Sequence, residues 1–139
     1  MQLKEIMTRN VKAVRPNATL TEAANIMLAE DVGSLPVYDD AKIVGIVTDR
    51  DITVRGTAKG LDPKQTRVSE VMTRDIHTCP AGYDVKEASK LMEDKQIRRL
   101  VVMDTDNRPI GIVSLGDLAL RVSDEDLSGE TLREISRPV

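Results

Sequence analysis

Apolar side chains recur at helical spacing in two stretches of the chain, each preceded by a residue suited to a helix N-cap. Thr19 and Glu22 have the spacing of a reciprocal capping pair, and so do Asp84 and Glu87. The apolar positions that follow predict two amphipathic helices whose apolar faces serve core and dimer packing. These positions are Leu20, Ala23, Ala24, Met27 and Leu28 in the first helix, and Val85, Ala88, Leu91 and Met92 in the second.

Short apolar runs flank each of these helices, and polar turns separate the runs that follow it. The last run in each set leads directly into a further helix, from Asp49 to about Val54 and from Leu115 to about Val122. The order is therefore strand, helix, strand, strand, helix, twice over. The predicted strands are residues 11–14, 34–38 and 43–47, then 76–79, 99–103 and 110–113.

Two short segments of sequence occur once in each set of elements. Residues 5–9 return at 70–74, and residues 45–51 return at 111–117. This duplication predicts an α/β (α+β) fold of two β-α-β-β-α units related by a pseudo-twofold axis. We expect a first unit at 1–60, a linker at 61–66, a second unit at 67–123 and a tail at 124–139. A short helix at 130–135 is expected in the tail.

The amino-acid composition argues against nucleic-acid and membrane partners. The only aromatic residues are Tyr38 and Tyr83, which argues against the stacking platforms of single-strand nucleic-acid binders. The net charge is −3 and no basic stripe stands out, so we expect no nucleic-acid partner. One cysteine, Cys79, fits a reducing compartment. With no apolar signal region and no run long enough to span a bilayer, we expect a cytoplasmic protein without a membrane partner.

Two hydroxyl–carboxylate pairs stand where a predicted strand runs into a helix: Thr48 with Asp51, and Ser114 with Asp117. A carboxylate has two acceptor oxygens and can take both hydroxyl donors of a ribose. The neighbouring hydroxyl and the first helical N–H groups could face a phosphate. The same spacing is also a near-variant of the capping box, which needs no ligand. The two interpretations are compatible, because a cap can exchange its partner for a ligand.

The copies differ at one chemically important place. The second copy has Arg98 and Arg99 where the first has Gly33 and Ser34. Arginine offers a permanent charge and a planar donor fork that suits phosphate. The alternative is that these arginines pair with a surface acid such as Asp94 or Asp104.

The two units resemble cystathionine β-synthase (CBS) domains, and the pair resembles a Bateman module. The resemblance covers about residues 3–122 and lies in the glycine-led strands with their hydroxyl–carboxylate pairs and in the strands before them. The residues that carry it are Gly45-Ile46-Val47-Thr48 with Asp51, Gly111-Ile112-Val113-Ser114 with Asp117, Leu35-Pro36-Val37, and Arg98-Arg99-Leu100-Val101-Val102.

The resemblance implies two ligand clefts, each of which combines the hydroxyl–carboxylate pair of one copy with the first strand of the other. In the family, the aspartate binds ribose, the Thr or Ser lies near the phosphate, and the position of the arginines contacts phosphates. The first cleft would contain Thr48, Asp51, Ile76, His77 and Thr78, near Arg98 and Arg99. The second would contain Ser114, Asp117, Val11, Lys12, Ala13, Gly33 and Ser34. We expect the first cleft to bind anions better.

The implied function is a regulatory module that is not an enzyme and needs no cofactor. It would bind an adenosine-containing nucleotide (AMP, ADP or ATP, with S-adenosylmethionine and NAD as further candidates), and a protein partner would respond to the change. A ligand-free interaction scaffold is the alternative, and both hypotheses predict a homodimer. No metal site is expected, because His77 and Cys79 share a strand face but supply only two ligands.

Overall fold

The computed structural model describes residues 1–9, 11–40, 42–121 and 125–135. Two compact units make up the chain: a first unit, Val11–Ile76, and a second unit of Met1–Asn10 with His77–Val139. The strands are β1 (Thr8–Arg9), β2 (Ser34–Asp39), β3 (Lys42–Thr48), β4 (Thr78–Pro80), β5 (Arg99–Met103) and β6 (Pro109–Ser114). The α-helices are α1 (Leu20–Glu30), α2 (Asp49–Asp51), α3 (Val85–Lys95), α4 (Leu115–Arg121) and α5 (Glu125–Ile135).

The first unit is built on an antiparallel hairpin of β2 and β3, in which Ser34 lies opposite Thr48. Helix α1 precedes the hairpin and begins at a complete capping box between Thr19 and Glu22, as predicted. The predicted strand at 11–14 is reduced to one isolated bridge, in which Val14 pairs in parallel with Val37. Its backbone is held there by hydrogen bonds to Pro36 and Tyr38.

Helical structure after β3 extends further than the sequence predicts. Helix α2 continues as a π-helix at Ile52–Gly56 and a 3₁₀-helix at Thr57–Lys59. The predicted linker at 61–66 then packs on the start of α1, because the Leu20 N–H donates to the Thr66 carbonyl. A 3₁₀-helix follows at Val68–Glu70.

The second unit has a four-stranded sheet in the order β1-β6-β5-β4. Strands β5 and β6 form an antiparallel hairpin, and β4 pairs in parallel with β5 through the crossover helix α3. Asp84 caps α3 by accepting the Lys86 N–H, and no capping box with Glu87 forms. The tail helix α5 spans eleven residues and is longer than the expected 130–135. The predicted end of α4 at Val122 lies outside the described residues.

The cores consist of aliphatic and methionine side chains with one cysteine, as the lack of Phe and Trp predicts. The buried residues of the first unit are Val14, Leu20, Ala23, Met27, Leu35, Val37, Val47, Val68, Val71 and Met72. Those of the second unit are Leu3, Ile6, Met7, Cys79, Val85, Ala88, Met92, Leu100, Val102, Val113, Leu118 and Ile135. No helix among the described residues is long and apolar enough to cross a membrane.

The two compact units do not coincide with the two copies of the sequence repeat. Each unit contains the leading segment of the other copy, that is, the short stretch with which that copy begins. The first leading segment, residues 5–9, packs in the unit of the second copy, where Arg9 lies opposite Gly111. The second leading segment, residues 70–74, packs in the unit of the first copy, where Thr73 bridges Ile46. The boundaries predicted at 60 and 67 follow the sequence repeat, whereas each core contains residues from both copies of it.

Two glycines of the repeat permit this exchange. A Cβ atom on Gly111 would lie 2.7 Å from Met7 Sδ and 2.8 Å from the Thr8 carbonyl oxygen. A Cβ atom on Gly45 would lie 2.8 Å from the Thr73 carbonyl oxygen and 2.9 Å from Met72 Sδ. Only glycine lets the leading segment approach the strand this closely.

We therefore expect Gly111→Ala to lower the free energy of unfolding by about 1–3 kcal/mol, because the strand must move away from backbone that cannot yield. Gly82→Ala is the matched control, since nothing lies within 4 Å of a Cβ there. The control should change stability by less than about 1 kcal/mol. Chemical denaturation measures both, and equal effects of the two substitutions would contradict the role of the close approach.

Candidate functional site

Both hydroxyl–carboxylate pairs form complete capping boxes. In the first unit, the Asp51 N–H donates to Thr48 Oγ1 at 3.0 Å, and the Thr48 N–H donates to Asp51 Oδ2 at 3.0 Å. In the second unit, the Asp117 N–H donates to Ser114 Oγ at 3.1 Å, and the Ser114 N–H donates to Asp117 Oδ2 at 2.9 Å. The capping interpretation therefore holds at both junctions.

Asp51 has structural partners beyond the cap. Its side chain is buried, with 7% of the residue exposed. Thr73 Oγ1 lies 3.3 Å from Oδ1 and 3.4 Å from Oδ2, and Arg55 Nε lies 3.9 Å from Oδ1. The same guanidinium donates from Nη1 to the Val71 and Met72 carbonyls at 3.2 Å. Asp51 therefore holds the second leading segment against the start of α2, and its carboxylate is engaged within the unit.

The arginine pair lies at the start of β5, beside the second hydroxyl–carboxylate pair. Arg99 is opposite Ser114 in the hairpin, and the Leu115 N–H donates to the Arg98 carbonyl at 2.9 Å. Both side chains are exposed, and within the described part of the chain neither guanidinium has an ion-pair or hydrogen-bond partner. Two exposed cations that no acid among the described residues neutralises are suited to bind an anion.

The two acids considered as alternative partners of these arginines are occupied elsewhere. Asp94 Oδ1 lies 3.8 Å from Lys90 Nζ, one helical turn away. Asp104 Oδ1 accepts the backbone N–H groups of Asp106 and Arg108 at 2.8 Å and 2.9 Å, and so closes the turn between β5 and β6. The surface-pairing interpretation of the arginines is therefore wrong for both candidate acids.

A cavity of about 370 Å³ opens beside the arginine pair. It combines two cationic side chains and one hydroxyl with apolar surface, which suits a ligand that has an anionic end and an apolar body. All of its lining residues belong to the second unit: Arg98, Arg99, Ser114, Leu115, Gly116, Ala119 and, from the tail helix, Leu132.

The matching junction of the first unit has the opposite charge. Gly33 and Ser34 replace the arginines, and Asp49 stands at the position of Leu115. The Asp49 N–H donates to the Gly33 carbonyl at 2.9 Å, and a Cβ atom on Gly33 would lie 2.9 Å from Asp49 Oδ2. A carboxylate thus occupies the space above Gly33. Sequence reasoning missed Asp49, although aligning the two copies places it against an apolar residue.

The other predicted site residues lie next to the two places in the sequence where the chain passes from one unit to the other. Val11 and Ile76 are partly buried in the first unit, where Lys12 and Ala13 are exposed. His77 and Thr78 belong to the second unit, where the Val101 N–H donates to the His77 carbonyl at 3.1 Å. The contacts within each unit bring together Arg98, Arg99 and Ser114. The expected mixing of residues from both copies in one cleft stays a prediction.

Cys79 is a core residue with suppressed acidity. Burial raises the pKa of its thiol to about 11, so the thiol is neutral at physiological pH and a poor metal ligand or nucleophile. Among the described residues, no group of three or more His, Cys, Asp or Glu side chains could hold a metal ion.

Comparisons with known proteins agree with this architecture of two small repeated α/β units. The CBS domain family model matches residues 3–55 and 68–124. The CBS domain-containing protein YhcV of Bacillus subtilis is 42% identical over 134 residues, which are 96% of this chain and 94% of YhcV. A crystal structure of Hypoxic Response Protein I with two coordinated zinc ions has a TM-score of 0.75 at 35% identity, and covers 88% of this chain and 99% of that one.

A third similar structure contains adenosyl ligands. It is the CBS domain pair of protein MJ0100 in complex with 5′-methylthioadenosine and S-adenosyl-L-methionine. Its TM-score is 0.74 at 28% identity, over 86% of this chain and 93% of that one. The fold and the repeated motifs define a tandem repeat protein of the α/β class. This chain belongs to the CBS domain family, and the predicted fold class and family are confirmed.

The buried network around Asp51 yields a test of its structural role. We expect Asp51→Ala to lower the free energy of unfolding by about 2–4 kcal/mol, because it removes a cap, takes the acceptor from the Thr73 hydroxyl and removes the carboxylate beside Arg55. Asp49→Ala, which removes an exposed carboxylate in the same helix, should lower it by less than about 1 kcal/mol. Urea denaturation measures both, and a loss at Asp51 no larger than that at Asp49 would contradict the network.

Proposed function

We propose that the chain is a non-enzymatic regulatory module of the cytoplasm that binds an adenosine-containing nucleotide and acts as a homodimer. The cavity beside Arg98, Arg99 and Ser114 is the observation that carries this proposal. Its volume of about 370 Å³ falls in the range of small-molecule sites, and its charged end is cationic. The apolar remainder is suited to the uncharged part of a nucleoside.

The two arginines favour a ligand with a phosphate. S-adenosylmethionine and methylthioadenosine, the ligands of the related CBS pair, have no phosphate group. A guanidinium fork can bind two phosphate oxygens at once and gains most from a fully ionised partner. We therefore place AMP, ADP and ATP ahead of S-adenosylmethionine as ligands of the second unit.

Roles for the remaining residues follow from their present partners. Ser114 would donate its hydroxyl to the phosphate, and Asp117, which is only partly buried at the start of α4, would accept the ribose hydroxyls. Asp51 would have to release Thr73 and Arg55 before it could accept ribose hydroxyls. The carboxylate of Asp49 would repel a phosphate at the first-unit junction, so we propose one strong site rather than two equal ones.

Isothermal titration with AMP and with adenosine tests the phosphate assignment. We expect Arg99→Ser, which introduces the residue of the first copy, to weaken AMP binding by at least about tenfold, the equivalent of one lost charge-assisted hydrogen bond. Adenosine should bind wild type and variant alike. Arg108→Ser, at an exposed arginine in the turn before β6, is the matched control and should leave AMP affinity unchanged. Equal AMP affinity in Arg99→Ser and wild type would contradict the assignment.

Thermal unfolding with a nucleotide panel separates this function from that of a ligand-free interaction scaffold. A ligand at 100 times its dissociation constant adds about 2.7 kcal/mol to the stability of the folded state. For a chain of this size the midpoint should rise by about 5–15 °C. If no adenosine-containing ligand shifts the midpoint at millimolar concentration, the scaffold is the better interpretation.

A further inference from the structure

Polar and apolar contacts dock the tail helix α5 on the second unit, against α3 and α4. Thr131 is completely buried, and its Oγ1 donates to Glu93 Oε1 at 3.1 Å. Gln96 Nε2 donates to the Glu134 carbonyl at 2.8 Å, and Ile135 is buried in the core of the unit. The position of α5 is therefore set by the unit on which it lies, although α5 is not part of the sequence repeat.

Docking brings Leu132 to the cavity beside the arginine pair. Leu132 follows the buried Thr131 directly, is 52% exposed and lines that cavity. The other described lining residues belong to the repeat, at the start of β5 and at the junction of β6 with α4. A half-exposed leucine beside a cavity loses contact with water when an apolar group fills the cavity, which favours binding. The repeat thus supplies the charged end of the cavity, and the tail helix supplies part of its apolar surface.

Small residues occupy the part of the cavity that α4 lines. Gly116 and Ala119 stand there. The first copy has the larger Arg50 and Thr53 at these positions. Packing does not require a glycine, because a Cβ atom on Gly116 would meet only Ser114 Oγ, at an ordinary contact distance of 3.5 Å. The small side chains therefore leave open volume beside the apolar wall, and do not relieve a clash within the unit.

The first copy directs the chain elsewhere at the corresponding place. After its helical segment, residues 61–66 pack on the start of α1, where the Leu20 N–H donates to the Thr66 carbonyl. Among the described residues, the junction with the arginine pair is thus the one at which a segment from outside the repeat completes a cavity. The difference between the two copies therefore extends from charge to apolar surface.

We propose that Leu132 is an apolar wall of the nucleotide site, and that nucleotide binding and the docking of α5 are therefore coupled. This inference rests on the nucleotide site proposed above and adds its regulation. A nucleoside that packs on Leu132 binds the chain with α5 docked more tightly than the chain with α5 released. By linkage, the nucleotide stabilises the docked form by the same factor. The tail helix thereby becomes the segment whose docking reports whether the site is occupied.

Isothermal titration of Leu132→Ala with AMP and with adenosine tests the wall. Both ligands should bind at least about fivefold more weakly, and by the same factor, because the lost contact is with the nucleoside. Arg99→Ser differs, since it should weaken AMP alone. The matched control is Leu120→Ala, because Leu120 lies on α4, is 86% exposed and does not line the cavity. Its affinities should equal those of wild type.

Hydrogen exchange at residues 125–135 tests the coupling. Saturating AMP should slow exchange of these amides by the factor by which release of α5 weakens AMP binding. Thr131→Glu in the full chain measures that factor, because a second carboxylate facing Glu93 in a buried position should release α5. Inorganic phosphate, which has no nucleoside to touch Leu132, should leave exchange at α5 unchanged. In Leu132→Ala the slowing by AMP should shrink.

The outcomes separate this inference from the proposed function. Unchanged affinities in Leu132→Ala, with AMP still bound by wild type, would overturn the wall and leave the nucleotide site in place. AMP bound without slower exchange at residues 125–135 would overturn the coupling. If Thr131→Glu does not fold, the slowing in Leu132→Ala relative to wild type decides the coupling by itself. A wild-type chain that binds neither AMP nor adenosine would overturn the proposed function and this inference together.

Discussion

The close approach of a Met-Thr segment to a glycine is the contact on which both units depend. Gly45 and Gly111 leave no room for a Cβ atom beside Thr73 and Thr8. Each leading segment adds buried side chains to a core that its own copy does not complete, among them Ile6 and Met7 in one unit and Val71 and Met72 in the other. Each unit therefore contains buried side chains from both copies of the repeat, and neither half of the sequence contains a complete unit.

In the first unit, the hydroxyl–carboxylate pair that both copies share helps to hold the leading segment beside Gly45. Asp51 caps α2 and also accepts from Thr73 of the leading segment, so a residue expected to bind ribose stabilises the exchange. The second unit differs in having the arginine pair beside its hydroxyl–carboxylate pair. The residues that the copies share therefore support the fold, whereas the arginines of the proposed ligand site are among the residues that differ between the copies.

Local interactions made much of this architecture predictable. The capping boxes at Thr19, Thr48 and Ser114 depend on residues three apart, and the hairpins on apolar runs joined by short polar turns. Elements that need a distant partner were predicted less well. The expected strand at 11–14 pairs only at Val14, which forms a single bridge with Val37. The tail helix is longer than expected because α3 and α4 provide a surface for it.

By itself, the sequence determined the repeat, the order of its elements, the caps and the charge difference between Gly33-Ser34 and Arg98-Arg99. The element order and the caps depend on residues close together in the chain, and the repeat and the charge difference are found by comparing the two copies directly. Only the tertiary structure decided which leading segment completes which core, that Arg98 and Arg99 face a cavity with Ser114, and that α5 covers one helix face. Each of these depends on contacts between residues far apart in the chain, where close packing chooses among partners with similar local sequence.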